Sequence, residues 1–259
     1  MNASRKSCLL AVANVLSWPW RLLPARWREG ILTGLFVLDS RGEPSGGLAQ
    51  MLRLQDRLDW VTNERAVAFG EGVHPKHRLT RYHNFFVQHI PEGARVLDIG
   101  CGVGAVALSI ATRVKGCEVV GVDRDDGRLA EARASKNPNN LSFVKTDVCD
   151  SLPDGPWQAV LLSNVLEHIE DRVSFLKGIL QNAKPERVLI RVPHFERDWK
   201  MPMRKELGLN YFSDAEHFIE HRLDELQTEL AEAGLRPMVT HTLWGEIWMC
   251  CECIESDGQ

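Results

Sequence analysis

The chain has 259 residues, 44% of them hydrophobic, and a formal net charge of −4. That length holds one large α/β domain with an extension, and the acidic balance lacks the basic footprint of a duplex-binding protein, so no nucleic-acid partner is expected. Seven cysteines without regular spacing argue for reduced thiols in a cytoplasmic setting, and no apolar run reaches the ~18 residues of a spanning helix.

From Met1 to about Leu38 the chain is apolar and basic, with Trp18, Trp20 and Trp27. Arg5, Lys6, Arg21, Arg26 and Arg28 face a single acid, Glu29, across residues 1–30. Two readings stand. One is an interfacial anchor at the inner face of a membrane, with Trp at headgroup depth and Arg on anionic lipid. The other, which we prefer, is a helix packed on the rest of the chain or on a second subunit, giving a homodimer. A signal peptide is disfavoured, because the apolar run before Ala11-Val12-Ala13 is too short. Residues 39–47 read as a linker, closing a first segment of 1–47. Residues 48–90 read as a helical lid or extension, with Met51, Leu54, Leu58 and Val61 at helical spacing. Residues 91–259 form the main domain.

That domain opens on Val96-Leu97-Asp98-Ile99-Gly100-Cys101-Gly102-Val103-Gly104. A buried strand feeds a glycine turn, and the turn opens a helix. Backbone there approaches a ligand closely, and the free N–H groups of the helix start face the same crevice. The occupant is nucleotide-like. The turn can be parsed as a dinucleotide fingerprint or as D-x-G-x-G-x-G. Asp98 favours the second, because a carboxylate at the strand tip suits a cationic amino group and a sulfonium and repels a pyrophosphate. A second strand, Glu118 to Asp123, ends on a carboxylate about 20 residues on, placed to accept from two ribose hydroxyls, with Arg124 beside it. A third, Leu141 to Val144, leads to Asp147-Val148. A fourth, Gln158 to Ser163, runs into Asn164-Val165-Leu166-Glu167-His168-Ile169.

In this order, across residues 91–254, these motifs resemble the class I S-adenosylmethionine-dependent methyltransferases. The Asn164–Ile169 stretch is similar to the fourth motif of members acting mainly on small molecules. The resemblance implies an α/β fold, a Rossmann-like seven-stranded sheet with helices on both faces. The pair Pro237–His241 and Glu246–Ile254 then forms its antiparallel end. The implied cofactor is S-adenosyl-L-methionine, held by Asp98, Gly100, Gly102, Gly104, Asp123, Arg124, Asp147, Val148 and Asn164. Asp147 takes the adenine amino group, while the Val148 backbone reads the ring. In relatives the segment before the glycine turn often folds over the cofactor as a lid, which would let Arg81 or Tyr82 reach its carboxylate; a solvated basic helix is an equal reading of that segment.

Methyl transfer to a hydroxyl needs a positioned proton acceptor, and histidine suits the task. His168, at the start of a helix through Val173, Leu176, Ile179 and Leu180, is the first candidate, and His194, after the fifth strand Arg187–Val192, is the second. Orientation or capping near the cofactor is an equal reading for His168. Glu167, Phe195, Arg197 and Tyr211 are expected to shape the substrate wall. His217 and His221 share a face if their segment is helical, yet an exposed helix face explains them better, and no metal is expected. Cys250, Cys251 and Cys253 alternate along an apolar strand and read as core.

The expected reaction is methyl transfer to a hydroxyl of a small molecule or a cell-surface glycan precursor. The glycan preference rests on the likeness of residues 187–235 to methyltransferases of bacterial polysaccharide pathways. Its rivals are a lipid-linked quinone or isoprenoid acceptor, an NAD-dependent dehydrogenase, and a non-catalytic binding module.

Overall fold

A computed structural model describes residues 3–148 and 151–254, with side chains from residue 10 onward, so the Arg5 and Lys6 side chains lie outside the described ones. The chain forms two compact units, Met1–Arg65 and Ala66–Gln259.

In the first unit, α1 (Ala3–Arg21) and α2 (Ala25–Asp39) are followed by α3 (Pro44–Phe69), whose last residues belong to the second unit. Glu43 accepts from the Ser45 and Gly46 N–H groups at 3.1 and 2.8 Å and caps α3. The stretch read as a linker is therefore shorter than the sequence suggested. Ser45, Gly46 and Gly47 already lie in the first turns of α3. A Cβ on Gly47 would sit 2.1 Å from the Ser40 carbonyl oxygen, so glycine is what lets the α2–α3 turn close. No residue of α2 is buried, and Val15, Trp18, Trp27 and Leu38 are 74%, 71%, 59% and 72% exposed.

The second unit opens with α4 (Lys76–Thr80) and α5 (Tyr82–His89). Then β1 (Arg95–Ile99), α6 (Ala105–Arg113), β2 (Glu118–Asp123), α7 (Asp126–Ala134), β3 (Leu141–Lys145) and β4 (Ala159–Ser163) alternate in α/β fashion. They are followed by a 3₁₀ turn (Leu166–His168), α8 (Arg172–Ala183), β5 (Arg187–Pro193) and a second 3₁₀ turn (Phe195–Arg197). Last come α9 (Lys200–Glu206), α10 (Leu223–Ala233), β6 (Leu235–Leu243) and β7 (Glu246–Cys253).

The sheet is seven-stranded, ordered β3-β2-β1-β4-β5-β7-β6, with β7 antiparallel to both neighbours. The central strands are apolar almost throughout because helices cover both faces. Leu97, Ile99, Leu162 and Ile190 pack with Leu176 and Ile179 of α8 and Leu226 and Leu230 of α10. Val96, Leu161 and Leu189 pack on the other face with Phe85 and Phe86 of α5 and Ile110 of α6. Cys250 and Cys251 are buried in β7, as their alternation implied. Strand order reverses between β1 and β4, and a crevice opens at the carboxyl ends of the strands at such a switch point.

Two local expectations are corrected. His168 does not begin α8. It ends the 3₁₀ turn, Ile169 is extended, and the helix starts at Arg172, where Asp171 accepts the Ser174 N–H at 3.0 Å. Residues 217–221 are not helical either. Hydrogen bonds to neighbouring loops hold them, so His217 and His221 do not share a helix face.

Candidate active site

The glycine turn follows β1. Gly100, Gly102 and Gly104 take φ values of 66°, 55° and 77°. A Cβ would lie 2.7 Å from Val165 Cγ2 at Gly100 and 2.5 Å from the Phe143 ring at Gly104. Space and backbone conformation thus both demand glycine at these two positions.

Asp123, at the tip of β2, locks the turn to the sheet. One carboxylate oxygen accepts the Gly102 N–H at 2.8 Å, the other the Asp125 N–H at 2.9 Å. Each oxygen keeps a further lone pair. Asp123 lines a cavity of about 630 Å³ that also meets Gly100, Arg124, Asp147, Val148, Asn164 and His168. Asn164 holds φ 59° at the tip of β4, its N–H donating to the Arg191 carbonyl at 2.8 Å. A carboxylate with two spare acceptor positions beside an open glycine turn fits a ribose diol, and so fits the cofactor that the resemblance implies.

Asp98 is elsewhere. Strand alternation turns it to the α6 face, with Val96, away from Leu97 and Ile99. It is 1% exposed, and its Oδ2 has no hydrogen-bond partner. Burial pushes its carboxyl up to about 7, the Ala107 N–H in the first turn of α6 opposing and Asp123 adding. It does not line the cavity, whose wall includes its neighbours Ile99 and Gly100.

The lid residues divide differently from expectation. Lys76 lines the cavity. Arg81 is exposed in a left-handed conformation, and Tyr82 is buried under the Arg191 guanidinium, 3.9 Å from its ring centre, its hydroxyl 3.0 Å from His77 Nδ1. Neither Arg81 nor Tyr82 lines the cavity.

His168 and His217 share the cavity wall, their rings edge to face with centroids 4.6 Å apart. Burial lowers the pKa of His168, and the neighbouring His217 adds to this. The imidazole is therefore held neutral at pH 7 and able to accept a proton. The preceding Glu167 is wholly buried, both its carboxyl oxygens lack partners, and burial raises it to about 8.

The 213–221 loop is stitched to this turn. Phe218 N–H donates to the Glu167 carbonyl at 2.8 Å, and His168 Nδ1 lies 3.3 Å from the Glu216 carbonyl. Within the loop, Glu220 collects four contacts: the Ser213 N–H at 2.6 Å, the Ser213 hydroxyl at 2.8 Å, His217 Nδ1 at 3.1 Å and Arg197 Nη1 at 2.6 Å. Burial raises its pKa, but Ser213 and Arg197 outweigh this and hold it low.

Of the residues expected to form a substrate wall, Arg197, Phe195 and Tyr211 form a support behind it. Arg197 also donates to the His194 carbonyl at 2.9 Å, and Phe195 is buried against Tyr211, centroids 5.6 Å apart. His194 is bridged to His221 and does not line the cavity. Sequence reasoning missed Lys76, Ser213 and Glu220. Only Glu220 carried a signal, as an acid between two histidines.

A family model described as "Methyltransferase domain" matches residues 72–241, more than half of the chain. The ubiquinone biosynthesis O-methyltransferase of Bradyrhizobium diazoefficiens is 32% identical over 172 residues, 65% of this chain and 62% of that protein. The ribosomal protein L11 methyltransferase of Thermotoga petrophila is 28% identical over 155 residues, 54% of this chain and 56% of that one. The chain thus spans less than two-thirds of either relative's length. Among solved structures, the magnesium protoporphyrin IX methyltransferase of Synechocystis PCC 6803, with bound S-adenosylhomocysteine, superposes with a TM-score of 0.54 at 18% identity, covering 69% of this chain and 83% of that one. That likeness concerns the fold. With the family match and the switch-point sheet together, the chain belongs to the class I S-adenosylmethionine-dependent methyltransferases.

Proposed function

We propose that the chain transfers a methyl group from S-adenosylmethionine to a hydroxyl of a small molecule or glycan precursor. One observation carries this reading. A single cavity joins the glycine turn, the Asp123 and Asp147 carboxyl groups and a pair of histidines. The cofactor supplies an electrophilic methyl on a sulfonium that is already a good leaving group. The protein has to bind, orient, exclude water and see the hydroxyl proton leave. Asp123 takes the ribose diol, Asp147 and Val148 the base, and Asn164 the strand-four side. The acceptor hydroxyl meets the His168–His217 wall, where its proton is lost. His194, behind the loop, serves structure.

Family membership removes the reason to favour an NAD-dependent dehydrogenase. Calorimetry comparing S-adenosylhomocysteine with NAD tests the donor, and tritium transfer from labelled S-adenosylmethionine to a hydroxyl panel tests the reaction. Tight binding of the first ligand is expected, with label appearing in a hydroxyl acceptor. Uptake without transfer to any acceptor supports the binding-module reading instead.

A second reading, a lipid-linked acceptor, is favoured by the exposed tryptophans and leucines of α1 and α2 and by the ubiquinone-pathway relative. Basic residues among those apolar ones suit an anionic lipid surface. Among the described residues no helix is long and apolar enough to cross a membrane, so such contact would be interfacial.

A further inference from the structure

Glu167, His168 and His217 each offer one ligand atom, and these atoms all lie within 4.8 Å of one another. We propose that this trio binds a divalent transition-metal ion at the cavity wall. The binding site stands independently of the methyl-transfer reading. Its role at the acceptor hydroxyl rests on that reading.

The tautomers carry the argument. His168 Nδ1 faces the Glu216 carbonyl at 3.3 Å, a group that only accepts, so Nδ1 holds the proton and Nε2 keeps its lone pair. His217 Nδ1 faces the Glu220 carboxylate at 3.1 Å, which fixes the same tautomer. A carboxylate behind an imidazole orients the ring and raises its basicity as a ligand. Glu220 is itself held by Ser213 and Arg197, so this backing is rigid.

Glu167 supplies the third observation. Its side chain is fully buried, and neither oxygen has a hydrogen-bond donor. A carboxylate in that position needs a proton or a cation. Two imidazoles and one carboxylate are a set for Zn²⁺, Mn²⁺, Fe²⁺ or Co²⁺, and three protein ligands leave coordination positions open. His168 and His217 both line the cavity, so the open positions serve an acceptor oxygen there. A cation lowers the pKa of a hydroxyl bound to it. In that state the His168 Nε2 lone pair serves the metal, and the acceptor proton is lost to solvent rather than to the imidazole. The His217–His221 pair weighed from the sequence is not the site, since His221 is buried at the bridge to His194 and does not line the cavity.

The test is a Co²⁺ titration of the full chain after chelator treatment, followed by visible absorption and equilibrium dialysis. One ion per chain with a nitrogen/oxygen-ligand spectrum is expected. Affinity should fall at least tenfold in both Glu167→Gln and His168→Gln, since even supporting partners of a metal ligand are worth about 10- to 100-fold. His168 is only partly buried, so its variant keeps the test decisive if the Glu167 replacement fails to fold. Binding unchanged in His168→Gln, thiolate-to-cobalt absorption, or no stoichiometric uptake overturns the proposal. Calorimetry with S-adenosylhomocysteine on the same samples separates the two claims. Uptake of that ligand without cobalt sinks the metal site alone, and cobalt without that ligand sinks the donor reading alone.

Discussion

Asp123 does two jobs with one carboxylate. It pins the Gly102 N–H to the end of β2 and keeps acceptor positions on the cavity wall. Each hydrogen bond to a charged acceptor contributes about 1.5–3 kcal/mol, so Asp123→Ala should weaken S-adenosylhomocysteine binding by about 10²-fold or more in calorimetry. Asp98 does not line the cavity, so any effect it has on a bound ligand is one of charge across the glycine turn. Its carboxyl sits at about 7, so it is protonated below that value and ionised above it. A cationic ligand prefers the ionised form, so affinity should rise with pH from about 6 to about 8 and then level off. Asp98→Asn should flatten that profile near its low-pH value, and an unchanged slope would assign the titration to another group.

At the scale of elements, the 213–221 loop completes the site, and Glu220 is its hub. Removing one partner of a buried, hydrogen-bonded charge pair costs about 3–5 kcal/mol. Glu220→Ala should therefore lower the urea midpoint, and hydrogen exchange should show the loss of protection concentrated in residues 213–221. Uniform loss across the sheet would contradict a local role. Little of this was legible in the chain, where only Glu220, an acid between two histidines, carried a signal. The glycine turn and the strand-tip acids could be read because each is a local pattern of short apolar run, glycine and carboxylate. The loop joins Glu167 to Phe218 and His194 to His221 across dozens of residues, and no periodicity records such contacts. His168 was legible as a candidate, but its 3₁₀ setting was not, because the Asp171 cap sets the helix start at Arg172 and the apolar spacing from Val173 onward does not mark where the helix begins.

For the whole molecule, two predictions concern surface and pH. Replacing Trp18 and Trp27 by Ser should abolish flotation with anionic vesicles if α1 and α2 lie at a lipid surface, and wild-type protein that fails to float removes the lipid-linked reading. Burial holds His221 and His83 at about 4, well below the ordinary histidine value. Between about pH 4 and about 6.5 the unfolded chain binds more protons there, so stability should fall as pH drops through that window. Urea midpoints at pH 7 and pH 5 check the sign. The sequence alone determined the order of strands and helices, the glycine turn and the strand-tip acids. Burial on both sheet faces writes continuous apolar runs into the chain, and a close backbone approach admits only glycine. Tertiary structure decided which face Asp98 takes, that Lys76 rather than Arg81 reaches the cavity, and that Arg197 and His194 brace the loop. Those outcomes depend on which side chains meet after distant segments pack, a competition among burial, charge and hydrogen bonding that one-dimensional spacing does not encode.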